Sequence, residues 1–536
     1  VSFDQLSYFA FLPLVYVLYR LMRHQAQNRM LILAGYVFYG CWDPRFLLLI
    51  IATTAMDFCA GLIIERGTVE RKELRAVGRF TVIAALLSVA IDWRALLTKG
   101  MAAGVLTAEN FYLLAGMALA AIGGGLAYLV LLRMPHPLRR KLAIIISLTG
   151  NLGLLGFFKY FNFFIESAEG LLLGLGFDPE SWRLQIVLPV GISFYTFQTM
   201  SYTIDIYRGK LKATDKLLDF ALFVSYFPPL VAGPIERAAH LLPQLALPRV
   251  PRWQQSVEGI WLILFGLFKK LAVANGVAGS VNAVYGSTGT VTWLDVVAAT
   301  VLFAVQIYCD FSGYSDIARG TSKLFGIELI HNFRTPYFSG SPSEFWTRWH
   351  ISLSTWLRDY LYVPLGGNRG GTAKTYRNLI LTMLLGGLWH GAAWNFVIWG
   401  LFHGLILCIY RAAGDRKVGI LPASWARPVG IAFFFMITCY GWLLFRATSI
   451  DQVAEFTRIL VSDFGNLTLT MQPPTFAALA GLLIVVVLEA VEYRVGLKEV
   501  HARANSLFKG AVCAALVFVL LMGSSNAPQQ FIYFQF

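Results

Sequence analysis

A histidine at position 390 stands in a run that is otherwise almost wholly apolar, Leu381-Thr-Met-Leu-Leu-Gly-Gly-Leu-Trp-His-Gly-Ala-Ala-Trp-Asn-Phe-Val-Ile-Trp-Gly400. Two more histidines flank it, His350 at the end of Glu344-Phe-Trp-Thr-Arg-Trp-His350 and His403 in Leu401-Phe-His-Gly404. An imidazole titrates at about 6.5, so it can take and return a proton near neutral pH, as general acid–base work requires. The run is long enough to enter a bilayer, where an ionisable side chain is costly and marks a functional site by default. Counted from a helix start near Asn378, His390 lies about 18 Å in, past the middle of a hydrocarbon core about 30 Å thick. A group at that depth is within reach of both sides. Trp389 adjoins it, and Gly386, Gly387 and Gly391 let a ligand or another backbone come close. The competing reading of each histidine is a side chain hydrogen-bonded inside a helix bundle. His24, His136, His240, His331 and His501 stand in polar or basic contexts and read as solvated or structural.

Two further groupings carry possible chemistry. In Pro364-Leu-Gly-Gly-Asn-Arg-Gly-Gly371, the backbone amides of a glycine-rich turn around Gly366, Gly367 and Asn368, with Arg369, could cradle a phosphate. A plain interfacial turn fits the same residues. In Asp310-Phe-Ser-Gly-Tyr-Ser-Asp316, two acids sit at the expected end of an apolar run. There they could orient a histidine, bind a partner or cap a helix. The six cysteines (Cys41, Cys59, Cys309, Cys408, Cys439 and Cys513) show no CxxC and no metal-ligand spacing, and read as small buried packing residues. No metal cofactor is expected. No P-loop, G-x-S-x-G elbow or H-E-x-x-H motif occurs, so ATP-driven transport and serine-triad hydrolysis lose support.

The elements that position these residues follow from hydropathy. Of 536 residues, 57% are hydrophobic and only 14% charged, against about 25% charged in a soluble domain. Long apolar runs recur from end to end, so the chain reads as an all-α polytopic membrane protein forming one membrane domain. Its net charge of +14 comes from Lys and Arg in short loops between those runs. That is the positive-inside pattern, and it argues against nucleic acid as a partner. Basic loops at 20–29, 64–79, 133–141, 207–216, 319–377, 411–427 and 494–509 read as cytoplasmic, and the acidic segment 448–474 as outside. Crossings are expected at 7–20, 30–43, 46–63, 79–93, 111–132, 141–164, 186–206, 257–275, 293–312, 378–391, 393–410, 428–447, 475–493 and 510–523, which puts both termini outside. The first apolar run lacks a basic segment before it, so it reads as a crossing rather than a cleaved leader. Segment 217–235, with Phe227-Pro-Pro-Leu-Val-Ala-Gly-Pro234, reads as a re-entrant hairpin that must be buried in protein or line a cavity. Segment 342–364 reads as one amphipathic helix at the cytoplasmic interface.

Several stretches together resemble the membrane-bound O-acyltransferase family, and within it the alginate O-acetyltransferase group. They are Leu188-Pro-Val-Gly-Ile-Ser-Phe-Tyr195, Asp310–Asp316, the run from Glu344 through His350 to Tyr362, Leu365-Gly-Gly-Asn-Arg369 and Thr382-Met-Leu-Leu-Gly-Gly-Leu-Trp-His-Gly391. The likeness covers most of 141–410 and the first 60 residues; segment 66–140 departs from it and reads as an insertion carrying two extra crossings. The resemblance implies a ring of tilted helices, with re-entrant and interfacial helices, around a central tunnel. It implies His390 as the catalytic residue and His350 as its support from the cytoplasmic side; Asp310, Asp316, Trp389 and His403 are kept as further tunnel candidates. It also implies acetyl-CoA as donor, an exopolysaccharide such as alginate as acceptor, a bacterial inner-membrane location, and an extracytoplasmic serine-esterase-like (SGNH-type) partner. The residues Phe531-Ile-Tyr-Phe-Gln-Phe536 resemble the Phe-Ile-Tyr-x-x-Phe motif of a small partner in the related D-alanyl transfer system, where the tyrosine is proposed to relay the acyl group. That implies Tyr533, on an outer tail of residues 524–536, as an acyl relay; the plainer alternative is an apolar tail packed on the bundle. Two readings from other classes stay open: a lipid or glycan transporter with an intramembrane histidine relay, and a non-catalytic scaffold of a polysaccharide secretion complex.

Overall fold

Apolar runs of this length satisfy their backbone polar groups within a bilayer only as helices or closed barrels. In the computed structural model the outcome is helical: no strand occurs among the described residues, 6–90, 108–178, 180, 182–414, 423–496, 506–523 and 532. Helices long and apolar enough to cross a membrane are Pro44–Arg66, Phe111–Leu132, His136–Gly174, Trp293–Leu324, Trp394–Ala413, Trp425–Arg446 and Phe476–Val495, with shorter apolar helices at Ser7–Leu21 and Gly510–Met522. The chain is an all-α, multi-pass membrane protein. Expected crossings near 30–43, 186–206, 257–275 and 378–391 fall on helices that are shorter or more polar than these.

Contacts divide the chain into two compact units, Val1–Ser256 with Ser322–Leu329, and Val257–Thr321 with Ile330–Phe536. The first unit contains α1 (Leu6–Leu21), α2 (His24–Gly40), α3 (Leu47–Arg66), α4 (Arg71–Ala85), α5 (Ala108–Leu132), α6 (His136–Leu155), α7 (Phe161–Gly174), α8 (Ile192–Tyr207), α9 (Leu217–Ser225), α10 (Phe227–Leu230) and α11 (Ala238–Ala246). A polar node joins three of these helices. Asp57 of α3 accepts from Ser147 (2.7 Å) and Asn151 (2.8 Å) of α6, and Thr199 of α8 donates to Asn151 (3.1 Å). The expected crossing at 186–206 begins only at Ile192. Pro189 and Gly191 (φ +74°) stop the helix from starting earlier, because a left-handed residue cannot continue an α-helix backwards. Segment 217–235 is buried almost throughout as α9 and α10, broken at the extended Tyr226 ahead of Pro228 and Pro229. Within 66–140, one expected crossing coincides with Phe111–Leu132. The other coincides with the end of α4 and the π-helical turn Leu86–Ala90, and the rest of it lies outside the described residues.

The second unit contains α12 (Trp253–Leu267) from Val257 on, which continues as the π-helical segment Phe268–Ala274, then α13 (Asn275–Tyr285), α14 (Trp293–Leu324) as far as Thr321, α15 (Pro342–Trp346), α16 (Ile351–Leu357), α17 (Thr372–His390), α18 (Trp394–Ala413), α19 (Ala423–Arg446), α20 (Ile450–Ser462), α21 (Phe476–Val495) and α22 (Ser506–Gly523). Its core is strongly aromatic: Phe303, Phe345, Trp349, Phe396, Trp399, Trp442 and Phe445 pack with Ile307, Val273 and Leu516.

Two expectations need correcting here. Segment 342–364 is not one amphipathic helix. It breaks between α15 and α16 at His350, whose φ of +41° is incompatible with a continuous right-handed helix. The crossing at 293–312 is the first part of a 32-residue helix. Asp310 and Asp316 therefore lie inside α14, where the backbone amides are already bonded, and they cap nothing. Among the cysteines, which are all free, Cys41 is exposed while Cys309, Cys408 and Cys439 are buried as expected.

Candidate active site

The stretch from Thr372 to Ala413 folds as a tight helical hairpin. Its two helices touch through glycine: a Cβ on Gly387 would lie 2.1 Å from the Phe396 carbonyl, and one on Gly400 would lie 2.3 Å from that of Met383. Only hydrogen side chains allow such an approach, the small-residue packing that membrane helices use in place of a hydrophobic drive. The helix starts at Thr372, six residues earlier than Asn378, so His390 sits about 27 Å along α17. His390 is the last residue of that helix, at the hairpin turn, and only 4% exposed. A helix C-terminus carries partial negative charge, which favours positive charge developing on a group held there.

Aromatic rings surround this imidazole. Trp389 lies 5.1 Å from it between ring centroids, Trp399 5.1 Å and Phe445 5.5 Å, all close to perpendicular. His350 approaches to 6.3 Å, and its ring also meets Trp389 at 5.9 Å and Phe311 of α14 at 4.7 Å. The structure thus brings together His390, His350 and Trp389, three residues singled out from sequence.

His350 is fully buried and is one of two non-glycine residues with positive φ among the described residues, the other being Thr335. Left-handed backbone at a bulky residue persists only when its surroundings over-determine it. Here the bond from Ile351 N to Asn332 O (2.9 Å) and that from Arg334 N to Arg348 O (3.0 Å) bracket it. The side chain belongs to a chain of polar groups. Asn332 donates to Ser315 of α14 (3.1 Å), Ser352 donates to Asn332 Oδ1 (2.6 Å), and His350 Nδ1 lies 3.4 Å from Ser352 Oγ. Because the Ser352 proton goes to Asn332, its oxygen accepts from Nδ1–H, which leaves the lone pair on His350 Nε2. Burial pushes this imidazole down to about 3, so it is neutral at pH 7. Asn332 and Ser352 were not singled out from sequence; each is an ordinary polar residue until the fold brings them together.

Asp310 and Asp316 were singled out from sequence, but their partners were missed. Lys270 pairs with Asp310 at 2.7 Å and Lys269 with Asp316 at 2.5 Å, and Arg319 reaches Asp316 at 3.3 Å. Tyr308 donates to the buried Glu489 of α21, and Lys269 also lies over the Phe265 ring at 4.7 Å. The signal was available: two adjacent lysines inside the expected crossing 257–275, and a glutamate inside 475–493. Asp310 has a further partner, because Oδ2 accepts from the backbone N of Ile532 at 2.7 Å.

The remaining candidates lie apart. His403 packs between Phe345 (6.3 Å, nearly parallel), Trp346 (5.2 Å) and Trp399 (4.7 Å), so Trp399 touches both His403 and His390. Gly366 (φ +110°) and Gly367 (φ +55°) form a left-handed turn that Asn378 pins by donating to the carbonyls of Leu365 and Gly367, both at 3.1 Å. Asn368 accepts from Tyr362, and Arg369 is exposed. This loop stands at the opposite end of α17 from His390. Tyr533 lies outside the described residues.

A neutral histidine held in strained backbone and facing a second histidine at a helix end, inside an aromatic chamber of a membrane protein, suits proton transfer away from bulk water. The profile of the MBOAT, membrane-bound O-acyltransferase family matches residues 210–416, which include His350, the glycine loop and His390. A protein of Azotobacter vinelandii named "Probable alginate O-acetylase AlgI" is 37% identical over 501 residues, 92% of this chain and 84% of the relative. Its namesake from Pseudomonas aeruginosa is 38% identical over 463 residues, 85% of this chain and 74% of the relative. The "Peptidoglycan O-acetyltransferase" of Helicobacter pylori is 34% identical over 351 residues, 60% of this chain and 65% of the relative. The chain belongs to the membrane-bound O-acyltransferase family, and it is an acyltransferase.

Proposed function

We infer that this protein takes an acetyl group from cytoplasmic acetyl-CoA and passes it across the bacterial inner membrane for O-acetylation of an exopolysaccharide such as alginate. The names of its relatives support acetyl as the group and a polysaccharide as the acceptor. The observation that carries the mechanism is the buried apposition of His390 and His350. His390 takes the proton of an attacking hydroxyl as its oxygen bonds to the thioester carbonyl carbon. The tetrahedral intermediate collapses with rupture of the C–S bond, and the proton passes from the imidazolium to the departing thiolate, giving free CoA and an acetate ester. His350, neutral and fixed by Ser352 and Asn332, positions the reacting groups. The glycine turn and Arg369 hold a phosphate of the donor at the far end of α17, and Asp310, Asp316, Trp389 and His403 line the route. Tyr533 supplies the attacking hydroxyl. An outer serine-esterase-like partner then moves the acetyl group to the polysaccharide, with both termini extracytoplasmic.

The test is acetyl transfer from radiolabelled acetyl-CoA to the purified protein and its candidate partner, with His390→Ala and Tyr533→Phe beside the wild type. Loss of a general base costs roughly 10²–10⁴-fold, so His390→Ala is expected to lose label and CoA release in that range. Normal acetylation by folded His390→Ala defeats the assignment. Label lost with His390→Ala but retained by Tyr533→Phe keeps the enzyme and discards the tyrosine relay.

A further inference from the structure

The Lys270–Asp310 pair is buried at both ends: the side chain of Lys270 is 8% exposed and that of Asp310 3%. Asp310 Oδ1 faces Lys270, and Oδ2 accepts the main-chain N–H of Ile532 at 2.7 Å. Ile532 is 1% exposed and belongs to the same aromatic core as Trp349, Trp399 and Phe445. The residue after Asp310 is Phe311, whose ring touches His350. Ile532 is therefore tied within one residue of a direct contact to the histidine pair.

We propose that the Lys270–Asp310 pair is a docking site for the chain's own segment around Ile532, and that it positions this segment beside His350 and His390. The grip is on the backbone. A carboxylate accepting a main-chain N–H reads no side chain, while Lys270 holds the carboxylate ionised and aimed. The apolar side chain adds burial in the core. The site therefore takes any residue at 532 that keeps an N–H and an apolar body, and it rejects proline. Asp310 is a positioning residue that acts on the reaction through the docked segment. This proposal rests on the acyl-transfer reading of the histidine pair, but its physical content, an intramolecular segment held by a buried carboxylate, is measurable without turnover.

The experiment is limited chymotrypsin digestion of the full chain in detergent micelles, with mass spectrometry scoring cleavage after Tyr533 and Phe534 only, since chymotrypsin does not cut the Phe531 bond when proline follows it, in parallel with acetyl-CoA turnover. The variants are Ile532→Pro, Ile532→Val and Asp310→Asn. Ile532→Pro deletes the donor at a site outside the long helices, and Ile532→Val keeps it. Losing a hydrogen bond to a charged group raises cleavage by roughly 10- to 100-fold in Ile532→Pro and Asp310→Asn, while Ile532→Val stays close to wild type. Turnover falls with the same two variants and is kept by Ile532→Val. Equal cleavage rates in wild type and Ile532→Pro overturn the docking site whatever the turnover. Faster cleavage with unchanged turnover overturns the positioning role. Failure of the acyl-transfer reading shows separately, as turnover that survives His390→Ala.

Discussion

Replacing Gly387 by alanine tests whether hairpin packing sets the position of the His390 imidazole, to which we assign the general-base role. The added Cβ lies 2.1 Å from the Phe396 carbonyl and 3.1 Å from both N and Cα of Gly400, whereas ordinary van der Waals contact begins at 3.4 Å. All three neighbours are backbone, so no rotamer change relieves the clash, and α18 must move away from α17 by about 1.3 Å at this level. His390 is one turn further along the same helix and owes two of its ring contacts, Trp399 and Phe445, to α18 and α19. Overpacking of this kind costs about 1–3 kcal/mol, and a displacement of about 1 Å at a reacting group costs on the order of 10²-fold in rate. Gly386→Ala is the control, because its Cβ meets only the end of the Leu357 side chain, at 3.1 Å, which can rotate away. In detergent, kcat for CoA release by Gly387→Ala should drop about 100-fold with a lowered apparent Tm, while Gly386→Ala stays within about threefold of wild type. Equal kcat for the two variants refutes the reasoning, since the steric difference between them is its whole content.

Acid should weaken the fold partly through His350. Its folded value, about 3, lies below the ordinary histidine value, so its contribution is complete above pH 6.5 and is lost as pH falls towards 3; at pH 5 the loss is about 2 kcal/mol. The drop in apparent Tm between pH 7.5 and pH 5 should be smaller in His350→Gln than in wild type, and equal drops would refute burial of the neutral ring. Asn332→Ala breaks the bonds to Ser315 and Ser352 and should destabilise by about 1–3 kcal/mol. It should lower kcat with little change in the KM for acetyl-CoA, and a KM effect alone would place Asn332 in donor binding instead.

The sequence made the helical class legible because long apolar runs with basic loops have few physical solutions, and it made His390 legible because a titratable group is conspicuous in such a run. It misjudged what depends on backbone conformation. Trp346, Trp349, Leu353 and Trp356 recur at helical spacing, yet the helix breaks at His350, because the pull of Asn332 and Arg334 on the flanking backbone outweighs periodicity. Asp310 and Asp316 looked like the end of a crossing because hydropathy falls there. The helix runs on because lysines from a neighbouring segment neutralise the two acids, and no local pattern encodes that pairing. Ser315 and Ser352 lie in stretches that carry the family likeness, but neither they nor Asn332 stood out individually, since each matters only through the other two.

The two aspartates show why pairing in space decides function where composition cannot. Lys269 and Lys270 are adjacent, and on an ideal α-helix adjacent side chains diverge by about 100°. Both nevertheless reach α14, from the π-helical segment Phe268–Ala274, where the wider turn and the contact between the Gly266 and Gly313 backbones bring the two helices together. Buried ion pairs contribute little net stability, and apolar replacements of similar volume often do better, so packing alone does not account for two of them side by side. They differ in what they leave for other groups. Asp316 divides its oxygens between Lys269 and Arg319, two cations of the same bundle. Asp310 gives one oxygen to Lys270 and the other to a backbone amide that arrives from 222 residues further along the chain. One pair closes on itself; the other holds a segment of chain beside the histidines, and that difference assigns Asp310, and not Asp316, to positioning.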